Sequence, residues 1–359
     1  MDTKYLKEIR KLGNHVMLKD KYNFGHSLEQ KNFTCTNPYK SLSVTDKGLV
    51  YTCTCHGHLP YPVSHIFDLN QLEDVWETPV SKKLQENTKS GSTFKFCDLG
   101  QCAPNTEELG PYRFVLAIDE SCNLQCPSCR LEINFLKEGP IFKRRLEYMK
   151  KFAELLSNFK KRTIVEIGGD GEPFASKVYG EFLYNYTPLE NHFFSIRSNG
   201  TLIDQKKLLK SKVCQQISHF TISIDAGSEE VYNIVRPPGS WKNLHQNLNF
   251  LKDSGYNFHL NFVVQKNNYR DLINFVDVCN NYGVAGILMG VNDWGTWSKH
   301  DPKSGISFDA ARKLFEEQQV FASTNALYYD WLSVCANFKL HPYKNNIRVA
   351  DVRLNDLYE

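Results

Sequence analysis

The chain has 359 residues, 41% hydrophobic and 23% charged, with a formal net charge of +3. This length and balance fit one large α/β unit with a smaller attachment and exclude a disordered chain; a charge so mild, without clustered Lys and Arg, argues against nucleic acid as a partner. The opening MDTKYLKEIRKLGNH lacks an apolar signal core, and no run reaches the roughly 18 apolar residues of a membrane span, so a cytoplasmic protein with no membrane partner is expected.

Eleven cysteines in such a compartment are metal ligands or redox groups more readily than disulfides, because thiols there stay reduced. Five of them, Cys35, Cys53, Cys55, Cys97 and Cys102, fall in the first third of the chain. The alternating run LSVTDKGLVYTC predicts a hairpin that turns at Asp46, Lys47 and Gly48. Beyond it, HIFDLNQLEDVWETPVSKKLQE reads as a short segment followed by an amphipathic helix. The stretch CTCHGH offers Cys53, Cys55, His56 and His58 to zinc, although ligands so close together strain a tetrahedral site.

From residue 114 the chain alternates short apolar runs with helical stretches. The runs are FVLAID (114–119), TIVEI (163–167), HFFSIRS (192–198), HFTISID (219–225), FHLNFVVQ (258–265) and GILMGV (286–291). Between them, RRLEYMKKFAELLSNF sets Leu146, Met149, Phe152, Leu156 and Phe159 at helical spacing. LIDQKKLLKSK reads as another helix, and WKNLHQNLNFLKDSG as one that stops at Gly255. Six such units predict a parallel sheet covered by helices and curled into an open, partial (β/α)6 barrel over 111–300. A small α+β domain over 1–110 precedes it, and a helical extension or lid over 301–359, containing FDAARKLFEEQQVF, follows. Cys214 and Cys279 sit in apolar contexts and read as core thiols.

Sites in such sheets form at the carboxyl ends of the strands, and the loop at the first of these ends is DESCNLQCPSCR. Cys122, Cys126 and Cys129 fall within eight residues, and no fourth Cys or His follows within the next dozen. Zinc commonly takes four protein ligands in separated pairs, whereas three thiolates suit a cubane [4Fe–4S] cluster with one iron open to another ligand. With Cys-x3-Cys-x2-Cys placed after the first strand of a partial barrel, the chain resembles the radical S-adenosylmethionine (SAM) superfamily. Ser128 departs from that family's pattern, which usually has an aromatic residue there packing near the SAM adenine.

Three further segments carry the resemblance. IGGDGEPF after the second strand resembles the family's Gly-Gly-Glu-Pro element and places Gly169, Asp170, Gly171 and Glu172 beside the amino group of SAM. RSNGTL resembles the segment that touches the ribose or methionine part, through Ser198 and Asn199. TISIDAGSEEVYNIVRPPGSW resembles a Ser-Ile-Asp-Gly stretch followed by an arginine, which assigns Ser223 and Arg236 to SAM, the arginine on its carboxylate. The resemblance implies an enzyme in which the open iron chelates SAM and one electron breaks its carbon–sulfur bond. The 5′-deoxyadenosyl radical so formed removes hydrogen from a substrate, and a donor such as flavodoxin or ferredoxin supplies the electron.

The first 110 residues resemble the SPASM and twitch domains of that superfamily, in which a cysteine, a hairpin turning at glycine and a later cysteine pair bind auxiliary clusters. Here the module precedes the barrel, and the full seven-cysteine set is not present. The resemblance implies one auxiliary [4Fe–4S] cluster on Cys35, Cys53, Cys97 and Cys102, with Cys55 spare or replacing one of them. A fully ligated cluster cannot bind SAM, so its use is electron transfer or substrate placement, which points to substrate oxidation. Epimerisation is the other outcome and needs a hydrogen donor; Cys335 is the candidate, against a plain packing role. At the barrel exit Asn292, Asp293, Trp294 and Trp297 suit either a pocket for a small polar, carbohydrate-like metabolite or a loop cap over the mouth. A peptide-modifying maturase is the second reading of the substrate. A noncatalytic zinc scaffold is the reading from another class.

Overall fold

The computed structural model describes residues 33–35, 37–52, 62–89, 102–104, 111–130, 132–291, 307–320, 327 and 347–349. These fall into two compact units. The first takes the residues up to Ser121, with Phe135–Arg197 and Asp204–Phe220; the second takes Cys122–Asn134, Ser198–Ile203 and the residues from Thr221 onward.

In the first unit, β1 (Phe33–Cys35) precedes a hairpin of β2 (Ser41–Thr45) and β3 (Leu49–Tyr51), with β4 (Ser64–His65) antiparallel on the outside of β3. The hairpin turns where the sequence predicts, because Gly48 accepts the φ of +73° that the turn requires. Next, β5 (Cys102–Pro104) pairs antiparallel with β1, in a register that sets Cys102 opposite Cys35. Strand β6 (Tyr112–Ala117) lies parallel to β2, with Phe114 opposite Leu42, so the hairpin extends the sheet that β6 begins. After it come β7 (Thr163–Ile167) and β8 (His192–Ser198), each parallel to its predecessor.

Strand β9 (Ile217–Ser223) starts in the first unit and ends in the second, which continues with β10 (Phe258–Val264), β11 (Gly286–Gly290) and β12 (Ile347–Val349). Along β10 and β11 the pairing is parallel, with Asn261 opposite Ile287. The hydrogen-bonded order is β12-β11-β10-β9-β8-β7-β6-β2-β3-β4 and does not return on itself. The fold is therefore the expected unclosed parallel α/β sheet, with β6 to β11 alternating with helices as in a partial barrel.

Burial explains these elements. On β6 and β8, Phe114 and Phe194 are fully buried and meet the helices at Phe152 and Phe182, with ring centroids 6.2 and 5.9 Å apart. Each such ring taken out of water contributes about 1.5–3 kcal/mol. Several expectations shift in detail, the first being the strand expected over 114–119, which runs Tyr112–Ala117. The helix expected from residue 144 begins at Gly139, with Pro140 in its first turn, and runs to Asn158. It buries Arg145 on its apolar side, while Leu146 is only half-buried. The stretch LIDQKKLLKSK becomes two helices, Gln205–Lys210 and Lys212–Gln215, because Ser211 ends the first and caps the second by accepting the Cys214 N–H. Strand β9 ends at Ser223 rather than at Asp225, which takes a left-handed φ of +52°. Cys214 and Cys279 are core thiols as expected, both fully buried. Among the described residues no helix is long and apolar enough to cross a membrane.

Candidate functional site

Strand β6 delivers the chain to the cysteine loop, and that loop lies in the second unit. Cys122 and Cys126 are buried around Leu124, and the half-buried Cys129 packs against them. A bridge between Cys122 and Asn134, whose carbonyl accepts the Cys122 N–H at 2.7 Å, closes the loop at its base. Its tip is a turn in which the N–H groups of Cys129 and Arg130 both donate to the Cys126 carbonyl, at 2.9 and 3.1 Å. The buried Ser128 lies in that turn, between two cysteines, where a small side chain fits.

Two of the sulfurs have nitrogen donors close by. The Leu124 N–H donates to Cys122 Sγ at 3.4 Å, Asn199 Nδ2 lies 4.0 Å from the same sulfur, and Arg130 Nη2 lies 3.8 Å from Cys129 Sγ. Burial pushes the Cys126 thiol up to about 11 against the pull of Arg236, with Asp225 and the other two cysteines adding to the rise. At neutral pH the uncoordinated sulfur therefore keeps its proton, and a metal has to displace it. Among the described residues no group of three His, Cys, Asp or Glu side chains is gathered tightly enough for one metal ion. A zinc ion would need the three sulfurs gathered around one ion, whereas a cubane takes one thiolate per iron. The donor set and its N–H partners thus fit an anionic iron–sulfur cluster.

The other expected SAM-contacting residues fall in both units. In the second, Asn199 is committed to the cysteine loop: its Nδ2 donates to Asn123 Oδ1 at 2.9 Å, and its Oδ1 accepts from the Thr201 N–H and hydroxyl at 3.0 and 2.7 Å. Asn123 closes the ring by donating to Thr201 Oγ1 at 3.0 Å. Ser198 is buried, with its hydroxyl accepting the Gly200 N–H, and Ser223 is half-buried at the end of β9. Arg236 donates through Nη2 to Asp225, and its buried Nε has no partner among the described residues. Burial opposes the charge on Arg236, but Asp225 and then Cys126 outweigh it and raise its pKa. Next to Arg236, the Pro237 carbonyl accepts the Gln125 N–H at 2.7 Å and pins the middle of the cysteine loop.

In the first unit, the loop after β7 sits against the segment that leads to Cys122. The Glu172 N–H donates to the Ser121 carbonyl at 2.7 Å. A Cβ on Gly171 would lie 2.6 Å from the Asp119 carbonyl oxygen and 2.8 Å from that of Ser121, so only glycine allows this approach. Glu172 is buried and accepts the Phe174 N–H at 3.1 Å, while Gly169 and Asp170 are exposed.

Other assignments lie outside the described residues: Cys53, Cys55, Cys97, Asn292, Asp293, Trp294, Trp297 and Cys335. Sequence reasoning missed the groups that hold the site together. Asp225 was quoted within its motif but given no role, although an acid at a strand's carboxyl end, eleven residues before an arginine, is a visible pairing signal. Asn123, Thr201 and Asp119 carry no such signal, because their partners are distant in the chain.

Residues 118–279 match the family model of the Radical SAM superfamily. The chain thus contains a radical SAM domain, whose family works with a [4Fe–4S] cluster and SAM. Among curated proteins it resembles the AdoMet-dependent heme synthase of Oleidesulfovibrio alaskensis, 26% identical over 169 residues, which are 47% of this chain and 42% of that protein. Among solved structures it resembles SuiB of Streptococcus suis bound to the precursor peptide SuiA, at 15% identity and a TM-score of 0.43, over 81% of this chain and 56% of that one. It also resembles anSMEcpe with bound AdoMet, at 18% identity and a TM-score of 0.42, over 67% of this chain and 61% of that one. The chain thus spans under half of that curated relative and about three-fifths of these structures.

Proposed function

We propose that this chain is an enzyme that cleaves SAM reductively and turns the resulting radical on a small polar metabolite. The observation that supports this most directly is the buried loop of Cys122, Cys126 and Cys129 at the carboxyl end of β6, where nitrogen donors approach two of the sulfurs. Cys122, Cys126 and Cys129 would hold a [4Fe–4S] cluster, which would supply the electron for SAM cleavage when bound. Asn199, Asn123 and Thr201 fix the loop, and Gln125 anchors it to Pro237. Arg236, with a spare Nε, receives the carboxylate of SAM, and Asp225 sets its orientation.

Polarity on the strands favours a polar substrate. On β6 to β8 the side chains that alternate with those under the helices include the partly buried Arg113, Glu166 and Ser195 and the exposed Arg197. Arg113 grips Glu166 through two bonds of 2.5 and 3.0 Å. Burial favours the protonated carboxyl, but Arg113 and then Arg197 overcome it and hold Glu166 below the usual carboxylate range. Such fixed charges suit a substrate with hydroxyl, amino or carboxylate groups rather than a hydrocarbon. The register that sets Cys102 opposite Cys35 supports a second, auxiliary cluster that these two would hold together with Cys53 and Cys97, and that would take up the electron released when the substrate radical is oxidised.

Anaerobic reconstitution tests the proposal. Two four-iron clusters predict about eight irons per chain and 5′-deoxyadenosine on reduction with SAM. Replacing Cys122, Cys126 and Cys129 by alanine should halve the iron and abolish 5′-deoxyadenosine, and replacing Cys35 and Cys102 should halve the iron but leave SAM cleavage. Colourless, zinc-rich protein would overturn the reading.

A further inference from the structure

Asp119, three residues before Cys122, is fully buried and held on every side. Its Oδ1 accepts from Arg145 Nη1 at 3.1 Å and its Oδ2 from the Ser176 hydroxyl at 2.5 Å. The Tyr179 hydroxyl accepts the N–H groups of Ile118 and Asp119 at 2.8 and 3.2 Å and donates to the Leu116 carbonyl at 2.9 Å. The segment entering the cysteine loop is therefore set by groups on two helices, 139–158 and 177–185, and by Gly171 pressed against its carbonyls.

Arg145 does not end at Asp119. Its Nη2 crosses to Asp46 Oδ2 at 3.0 Å, and Glu120 Oε2 lies 3.6 Å from the same nitrogen. Asp46 belongs to the turn between β2 and β3, 99 residues away in the chain. One cation thus stands among three carboxylates. The Asp119 contact fixes one end of the guanidinium, while Asp46 and Glu120 compete for the other. Asp46 is held by its turn, whereas the Glu120 side chain is 48% exposed. A guanidinium released by Asp46 would swing to Glu120, the residue between Asp119 and Ser121, and pull on the backbone that Gly171 abuts.

We propose that the hairpin turn is a positioning element for the cysteine loop, and that Asp46 sets the loop's geometry through Arg145. Asp46 is a positioning residue and does not touch SAM or substrate. The inference rests on the proposed SAM-cleaving function. It gives the added hairpin, which pairs with β6 outside the matched domain, a task in the reaction.

The test compares full-length wild type with Asp46→Asn, Asp46→Glu and Lys47→Ala after anaerobic reconstitution. Readouts are iron per chain, the electron paramagnetic resonance spectrum of the reduced cluster with and without SAM, the SAM dissociation constant and the melting temperature. Asp46→Asn should keep its iron but weaken SAM binding about tenfold and alter the SAM-induced spectrum. Asp46→Glu should restore most of both, and Lys47→Ala, in the same turn, should match wild type. An Asp46→Asn protein that melts lower yet shows wild-type spectra and SAM affinity would overturn the inference, because that is what a merely structural contact predicts. A wild type with no cluster signal would instead sink the proposed function, so the two failures are distinguishable. Arg145→Lys, which keeps the charge but not the fork, should reproduce the Asp46→Asn spectrum.

Discussion

Gly171→Ala probes the contact between the glycine-rich loop and the segment feeding the cysteines. The new methyl would meet three backbone atoms: the Asp119 oxygen at 2.6 Å, the Ser121 oxygen at 2.8 Å and the Glu120 carbonyl carbon at 2.9 Å. Reaching ordinary contact at 3.4 Å demands a retreat of about 0.8 Å, and all three atoms are main chain, so no side-chain rotation relieves it. Overpacking of this kind costs about 1–3 kcal/mol. A shift approaching 1 Å in a catalytic segment costs on the order of a hundredfold in rate. The expected protein is folded and iron-replete but melts lower and forms 5′-deoxyadenosine between about ten and a hundred times more slowly. Gly180→Ala is the control, because its nearest neighbour is a Tyr184 ring carbon at 3.9 Å and it lies within a helix. That change should stabilise by about 0.5–1 kcal/mol and leave the rate alone. A Gly171→Ala enzyme with wild-type rate and melting temperature would refute the reasoning.

Two further outcomes rest on buried polar groups. Burial lowers His219 from 6.5 to about 4. The unfolded chain therefore takes up a proton on falling through about pH 6.5 while the folded chain does not, and stability is lost between about pH 6.5 and 4 and levels off below. The full difference is on the order of 3 kcal/mol, and His219→Gln should flatten that part of the denaturation profile, measured by urea titration at stepped pH. Tyr179→Phe removes one hydroxyl that serves two N–H groups and one carbonyl, all buried. It should cost about 1–3 kcal/mol by the same titration, and a loss under 0.5 kcal/mol would show that other groups satisfy that backbone.

The strands from β6 to β11 were legible because each is a short apolar run bounded by turn residues, and TIVEI and HFFSIRS match β7 and β8 end to end. Strand β9 was misplaced by two residues since Ile224 and Asp225 continue the apolar alternation while Asp225 leaves the ladder at positive φ. The three cysteines announced themselves by spacing. The scaffold behind them did not, because Asp46, Asp119, Arg145, Ser176 and Tyr179 are joined over 26 to 99 residues of sequence. One local signal was available: Arg145 shares the helical stripe of Met149, Phe152 and Leu156, and a charge on an apolar stripe demands a buried partner. Leu146, the more hydrophobic residue, drew the assignment one position away.

The outermost strand of the first unit, β4, is only two residues long. His65 ends it with a ring nitrogen 3.1 Å from the Lys47 carbonyl and an edge contact to Tyr148 at 5.4 Å. A long bare rim would offer a template on which a neighbouring molecule could lay down another strand. With only two residues, the described part of this rim presents few open amide groups on which fibre growth could start, and the hairpin covers the edge that β6 would otherwise expose.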